Sequence, residues 1–165
     1  MGQIYVGKVK VVKKFNEQIE KTLGVSIKID GGNVIFSGEP YDEYASMRVF
    51  EAIRFGFSVK KALALKDETM AFKVVHIKSH TRRQLKDIRA RLIGTKGKTR
   101  RVMADISGCE ILIKENEVGI IGDAEEVGIV ETAIINLIRG SKQSNMYQYL
   151  ERMNRERKKL GNFDK

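Results

Sequence analysis

Gly94-Thr95-Lys96-Gly97 is the stretch whose residue types and spacing could do the clearest chemistry, with Arg91 before it and Lys98, Arg100 and Arg101 after it. Glycines have no Cβ, so a sugar–phosphate backbone can come close to the main chain there. The first amides of a following helix would point outward, and its dipole favours phosphate. Lys96, Lys98, Arg100 and Arg101 would add charge-assisted hydrogen bonds. Leu92, Ile93 and Val102, with Ile111, offer an apolar wall against which bases could lie. Thr95 and Thr99 complete the run. From Lys78 to Arg101 there are ten basic residues and one acid, Asp87. A block of one sign points to a polyanion. The competing view, a merely solvated helix face, would normally mix both signs.

The rest of the composition narrows the classes. The chain has 165 residues, a formal charge of +10 and 42% hydrophobic residues. That suits one ordinary domain or two small ones with real cores, and excludes wholesale disorder. A lone cysteine, Cys109, cannot make an intramolecular disulfide or a Cys-based zinc site. No apolar run approaches the roughly 18–20 residues of a membrane span. Met1-Gly2-Gln3-Ile4-Tyr5 carries no signal-peptide pattern. A cytoplasmic protein with no membrane partner is expected.

The elements that must position the glycine loop can be read because the chain repeats itself at an offset of 84 residues. Thr22–Asp30 lies over Ile106–Lys114, and three glycines stay in register: Gly24 with Gly108, Gly38 with Gly122, Gly56 with Gly140. Two copies of one fold are expected, with a boundary near residue 68. Each holds a β-hairpin turning at Asp30–Asn33 or Lys114–Glu117, since apolar residues alternate on both sides. Each then holds a helix. Pro40 suits N1 of the first, and Asp123 with Glu126 forms a capping-box pattern in the second. Ala45, Val49, Phe50 and Ile53 match Ile129, Ala133, Ile134 and Leu137 as the inward face. Gly56 and Gly140 are expected to end these helices as αL caps. Upstream of the second hairpin, a strand is expected over Met70–Ile77 and a helix over Arg82–Ile93 with Leu85, Ile88 and Leu92 inward. After the glycine loop, a helix over Lys98–Ile106 turns Val102, Met103 and Ile106 inward. The first copy is a compressed version: a strand at Gln3–Val6, a turn through Val12, a helix over Lys13–Leu23. Ser58–Lys66 reads as an extra helix. Asn145–Leu160 reads as a charged C-terminal helix, docked through Tyr149, Met153 and Tyr147.

A Gly-x-x-Gly loop between two helices, followed by a hairpin and an amphipathic helix, resembles the KH domain, whose loop clamps about four nucleotides of a single strand. The whole chain resembles the archaeal and eukaryotic double-KH ribosome-assembly factors of the partner-of-Nob family. The resemblance is carried by Arg91–Arg101, Ile120-Ile121-Gly122-Asp123, Asn136–Ser141 and the Tyr147–Lys159 tail. It implies an α+β chain of two tandem type I KH domains, each a three-stranded antiparallel sheet packed on helices, with a C-terminal helical extension. The expected organisation is a degenerate KH domain at 1–68, a KH domain at 69–143 and a basic tail at 144–165. It implies RNA contact through Arg91, Leu92, Ile93, Gly94, Thr95, Lys96, Gly97, Lys98, Thr99, Arg100, Arg101 and Ile111. It also implies partners: the 3′ region of small-subunit rRNA, the endonuclease that trims it, and the α subunit of initiation factor two. The first copy departs from the pattern, because Lys10-Val11-Val12-Lys13 stands where the second has its glycines. That copy is expected to bind protein or pack, rather than hold RNA.

Other motifs carry less. Gly97-Lys98-Thr99 resembles the end of a nucleotide-phosphate loop, but Leu92 stands where that loop needs a glycine. Arg54-Phe55-Gly56-Phe57 resembles an aromatic RNA-recognition signature, yet lacks the glycine after its arginine and falls at a helix end. His76 and His80 lack a third ligand nearby, so ordinary polar contacts are expected and no metal. Cys109 is expected as a small buried hydrophobe. Arg152–Lys159 is either a solvated helix or a second rRNA contact. No catalytic set stands out and no cofactor is implied. A non-catalytic RNA-binding assembly factor is the leading expectation. A translation adaptor and an RNA-processing enzyme are the rivals.

Overall fold

The computed structural model describes residues 1–163. Two compact units divide the chain, Met1–Phe72 and a second beginning at Lys73. The first contains β1 (Gly2–Tyr5), α1 (Lys10–Lys14), α2 (Asn16–Leu23), β2 (Ser26–Asp30), β3 (Asn33–Ser37), α3 (Pro40–Phe55) and α4 (Val59–Leu63). A 3₁₀ turn at Ala64–Lys66 leads to β4 (Met70–His76). Then come α5 (Leu85–Ile93), α6 (Lys98–Ser107), β5 (Glu110–Lys114), β6 (Glu117–Asp123), α7 (Ala124–Ile138) and α8 (Gln143–Phe163). The strand orders are β1-β3-β2 and β4-β6-β5, the same arrangement twice. Two copies of one fold are what the repeat predicts, and their α+β architecture is that of the tandem type I KH domains the resemblance implies.

The hairpins fall in the expected register, with Asp30 opposite Asn33 and Lys114 opposite Glu117. Gly31 takes φ +60° in the first turn and Glu115 takes φ +50° in the second. A non-glycine residue there costs about 1–2 kcal/mol. The second turn is held from outside: the Asn116 carbonyl accepts from the Ile77 amide at 2.8 Å. Its side-chain oxygen accepts from the Lys78 amide at 2.9 Å.

The repeated glycines have a shared packing reason. A Cβ on Gly38 would lie 3.0 Å from a Val25 methyl, and one on Gly122 would lie 2.6 Å from the Cys109 sulfur. Val25 and Cys109 are themselves repeat partners, so both copies press the start of β2 or β5 against the end of β3 or β6. Gly24 and Gly108 close α2 and α6 in the αL conformation. Gly56 and Gly140 end α3 and α7 with φ of 132° and 118°, positive but beyond the αL well expected for them.

Each sheet lays its inner face on its helices. Ile19, Leu23, Val34, Phe36, Val49 and Phe50 are buried in the first unit. In the second, Ile88, Leu92, Met103, Ile120, Ile134 and Leu137 are buried. Pro40 is at the first turn of α3, and the Asp123 carboxylate caps α7 by accepting from the Glu125 amide at 3.1 Å. Glu126 does not complete a capping box, because its carboxylate is taken by Arg157. Ile129 is only half-buried, and Val130 takes the inward place beside it.

Several boundaries differ from expectation. α1 occupies Lys10–Lys14, so a helical turn replaces the loop expected through Val12. Val12 is fully buried and holds that turn to the core. α5 begins at Leu85 and not at Arg82, since a 3₁₀ turn at Ile77–Ser79 and the loop after it consume the corner. In α6, Thr99, Met103 and Ser107 are the buried residues, whereas Val102 and Ile106 are half-buried. α8 packs against α6 and α7. Its buried residues are Met146 and Leu150, with Tyr147, Tyr149 and Met153 half-buried at the edges. No helix among the described residues is long and apolar enough to cross a membrane.

Candidate nucleic-acid interface

The junction between α5 and α6 has the geometry that its glycines suggest. Gly94 follows α5 with φ 76° and ψ 173°, and Gly97 precedes α6 with φ 75° and ψ 14°. The Gly97 amide donates to the Gly94 carbonyl at 3.1 Å, closing a tight turn. Lys96, between them, takes φ 54°. The two glycines are needed for different reasons. A Cβ on Gly94 would stand 2.7 Å from the Thr99 backbone nitrogen, so the turn is pressed against the first turn of α6. A Cβ on Gly97 would meet nothing within 4 Å, so this glycine faces open space. No side chain caps α6. Around the start of the helix Thr95, Lys96, Lys98 and Arg101 are exposed.

Not every residue assigned to the loop faces outward. Thr99 is buried against Gly94, and its role is to seat the turn. Leu92 (1% exposed) and Ile111 (4%) belong to the core, so they support the site from behind and form no wall. Ile93 and Val102 are half-buried and remain as the apolar surface. Arg91 is engaged elsewhere. Its guanidinium donates to the Gly140 carbonyl at 3.3 Å and to the Ser141 carbonyl. It thus satisfies orphan acceptors past the end of α7. The sequence does show why: Leu92 lies seven and four residues after Leu85 and Ile88, and Ile111 shares a register with buried Cys109. Only Arg91 has no local signal, because its partners lie about fifty positions away.

Charge around the site is arranged to leave it positive. Arg100 is half-buried, with Nη1 3.5 Å from the Ile111 carbonyl. The Lys78 ammonium donates to the Arg83 carbonyl at 2.5 Å and fixes the loop before α5. The acids at the start of α7 gather around Arg157 of α8, and Glu131 farther along it stands 3.7 Å from Lys73. The Arg157 Nε is 3.1 Å from Glu125, Nη2 is 3.2 Å from Asp123, and Nη1 bonds Glu126. The bond from Glu126, chiefly, raises the Arg157 pKa further. Sequence reasoning missed this knot, along with Met146 and Leu150. Met146, Leu150, Met153 and Arg157 recur at four, three and four residues, a seam legible in the sequence.

The competing motifs resolve into structure. Gly97-Lys98-Thr99 opens a helix that follows a helix, not a strand. Arg54–Phe57 lies at the end of α3, where Phe55 and Phe57 stack at 5.7 Å and both meet Phe72. His76 stands 3.8 Å from Glu117. Among the described residues, no three His, Cys, Asp or Glu gather as metal ligands. Cys109 is buried, and burial pushes its thiol up to about 11.

Comparison with known proteins agrees with this geometry. The sequence profile of the second KH domain of the PNO1 type, described as a eukaryotic-type KH domain (KH-domain type I), matches residues 71–155. The KH domain-containing protein MJ0443 of Methanocaldococcus jannaschii is 32% identical, over 95% of this chain and 70% of its own. The RNA-binding protein PNO1 of Oryzias latipes is 31% identical, over 59% of this chain and 42% of its own. Among solved structures, the complex of a/eIF2α, Dim2p and rRNA from Pyrococcus horikoshii contains a chain with a TM-score of 0.82 and 28% identity. The match covers 94% of each chain. The uncapped glycine turn, the doubled sheet order and these relatives lead to one statement: the chain belongs to the partner-of-Nob (PNO1) family of double-KH proteins.

Proposed function

We propose that this chain is a non-catalytic RNA-binding factor of small ribosomal subunit assembly. The second KH domain, 69–143, grips single-stranded rRNA near its 3′ end. Gly94 and Gly97 admit the backbone, the first amides of α6 receive a phosphate, and Thr95, Lys96, Lys98 and Arg101 surround it, with Arg100 behind. Ile93 and Val102 meet the bases. Leu92, Thr99 and Ile111 keep the turn in place, and Arg91 ties α5 to the end of α7. The observation that carries this reading is the uncapped start of α6 behind an open Gly97. The Dim2p relative was solved in a complex with rRNA, which supports RNA as the ligand.

In the degenerate domain, 1–68, Lys10 and Lys13 stand where the second copy has its glycines and buried Val12 holds the turn to the core, so it holds no RNA strand. The protein assists the endonuclease that trims the rRNA, and works in the cytoplasm. The tail, 144–165, is an appendage of the RNA-binding domain. The test is binding by the Thr95→Asp/Lys96→Asp variant. Loss of single-stranded RNA binding with an unchanged circular dichroism spectrum supports the site; full binding refutes it. Crosslinking in cells should peak on small-subunit rRNA. A spread over messenger RNAs would refute the assembly role.

A second reading has one specific observation behind it: the Dim2p complex also contains a/eIF2α. On that reading the chain is an adaptor in translation that holds the α subunit of initiation factor two. Capture of that subunit by the Thr95→Asp/Lys96→Asp variant would support it; its loss with RNA binding would refute it.

A further inference from the structure

α8 is not part of the repeat, and its two sides have opposite electrostatic fates. Met146, Leu150, Met153 and Arg157 define its packed side against α6 and α7. There the single cation, Arg157, meets three carboxylates. At 100° per residue, Gln148, Arg152, Arg155 and Lys159 fall directly opposite, and all four are exposed. Arg152 to Lys159 spans about 10 Å along the axis. Glu151 and Glu156 lie on the same helix. Yet among the described residues no carboxylate stands within ion-pair distance of Arg152, Arg155 or Lys159. Arg152 instead lies 5.7 Å over the Tyr149 ring. A solvated helix would be expected to pair such charges along its face. Here Asp123, Glu125 and Glu126 are held by the inner arginine, while among the described residues Glu151 and Glu156 pair with none of the outer row.

We propose that the outer face of α8, through Arg152, Arg155 and Lys159, is a second RNA-binding track for the phosphate backbone of the strand held at Gly94–Gly97. The proposal rests on the KH reading above. Charge complementarity argues for it, and the contacts set the reach: Arg157 places this half of α8 at the start of α7, whereas Arg91, beside the loop, holds Gly140 and Ser141 past its end, so the strand must run the length of α7, about 20 Å, to meet the row. A KH loop holds about four nucleotides, so the track would engage RNA only beyond that length. The contacts are to phosphate and carry no sequence preference.

The experiment compares two single-stranded RNAs sharing one core sequence, of six and 24 nucleotides, with the full chain and with the variant R152Q/R155Q/K159Q. Thermal melting checks that the variant folds. Three phosphates neutralised contribute a salt slope of about −2, or about a 20-fold change in affinity between 50 and 200 mM salt. The wild type should therefore show the steeper slope with the 24-mer, and the variant should lose that excess. Its affinity for the 6-mer should be unchanged. Equal salt slopes of wild type and variant on the 24-mer overturn the track, and so does equal loss on both lengths. Equal 24-mer slopes would also be the result if the row serves a protein partner. Failure of the KH reading is seen separately, as absence of 6-mer binding by the wild type. The 24-mer slopes still judge the track in that case.

Discussion

Gly94 and Gly97 carry the same letter and do different work, and a substitution at each separates the two. At Gly94 any side chain meets the Thr99 backbone, so Gly94→Ala should lower the melting temperature by several degrees, corresponding to about 1–3 kcal/mol. At Gly97 only the positive φ resists, and Gly97→Asp should cost about 1 kcal/mol. Its carboxylate should nevertheless abolish RNA binding; retained affinity in a fluorescence-anisotropy titration would count against the loop. Arg91 gives the reverse pattern. Arg91→Gln should destabilise the fold, because the Gly140 and Ser141 carbonyls lose their donor. Affinity per folded molecule should stay the same. Cys109 offers a third check. Its thiol is pushed up to about 11, so the folded protein keeps it neutral while the unfolded chain ionises near its ordinary 9.0. Its contribution is intact below pH 9 and fades as pH rises toward 11. Native protein should resist iodoacetamide at pH 8 and react once unfolded in urea. The resemblance and its positive charge put Arg91 among the expected RNA contacts, and only the fold shows where its guanidinium goes.

Elements were more legible than single contacts, and the repeat explains why. A packing constraint written twice, such as Gly38 against Val25 and Gly122 against Cys109, leaves a pattern that one copy would not. Both hairpin turns could be placed for that reason. The inward face of α5 was also written in the spacing of its apolar residues, whereas α6 turns Thr99, Met103 and Ser107 inward and leaves Val102 and Ile106 half-buried. Leu92 and Thr99 lie on those faces, and a strict use of helical phase separates them from the outward residues of the loop. The start of α5 was not legible, because it depends on Asn116, a residue of the distant hairpin turn that holds Ile77 and Lys78. The seam of α8 is legible in its four-three-four spacing, and only the partners of Arg157 depend on the distant start of α7. Arg157→Ala leaves Asp123, Glu125 and the nearly buried Glu126 without their common cation. It should loosen the distal half of α8, seen as faster amide exchange from Met153 onward. Amides before Leu150, held by Met146 and Leu150, should remain protected.

At the scale of the whole molecule, two copies of one fold have diverged in the one corner where a KH domain meets nucleic acid. The first fills it with a helical turn and a buried valine; the second leaves it open between two glycines. Charge has followed, since the run from Lys78 to Arg101 holds nearly all of the chain's excess. Reversing Lys10 and Lys13 to Glu should therefore leave RNA affinity within about twofold, apart from a small long-range effect that salt screens. The same reversal at Lys96 and Lys98 should lower it by about a hundredfold or more, since each lysine would exchange attraction to a phosphate for repulsion, roughly tenfold apiece. The most direct measurement is an NMR titration of the ¹⁵N-labelled chain with a short single-stranded RNA. The account predicts that amide signals from Gly94 to Arg101 shift first and furthest, while those of Lys10–Lys14 stay in place. Unmoved signals across Gly94–Arg101, with shifts centred on the first copy, would contradict it.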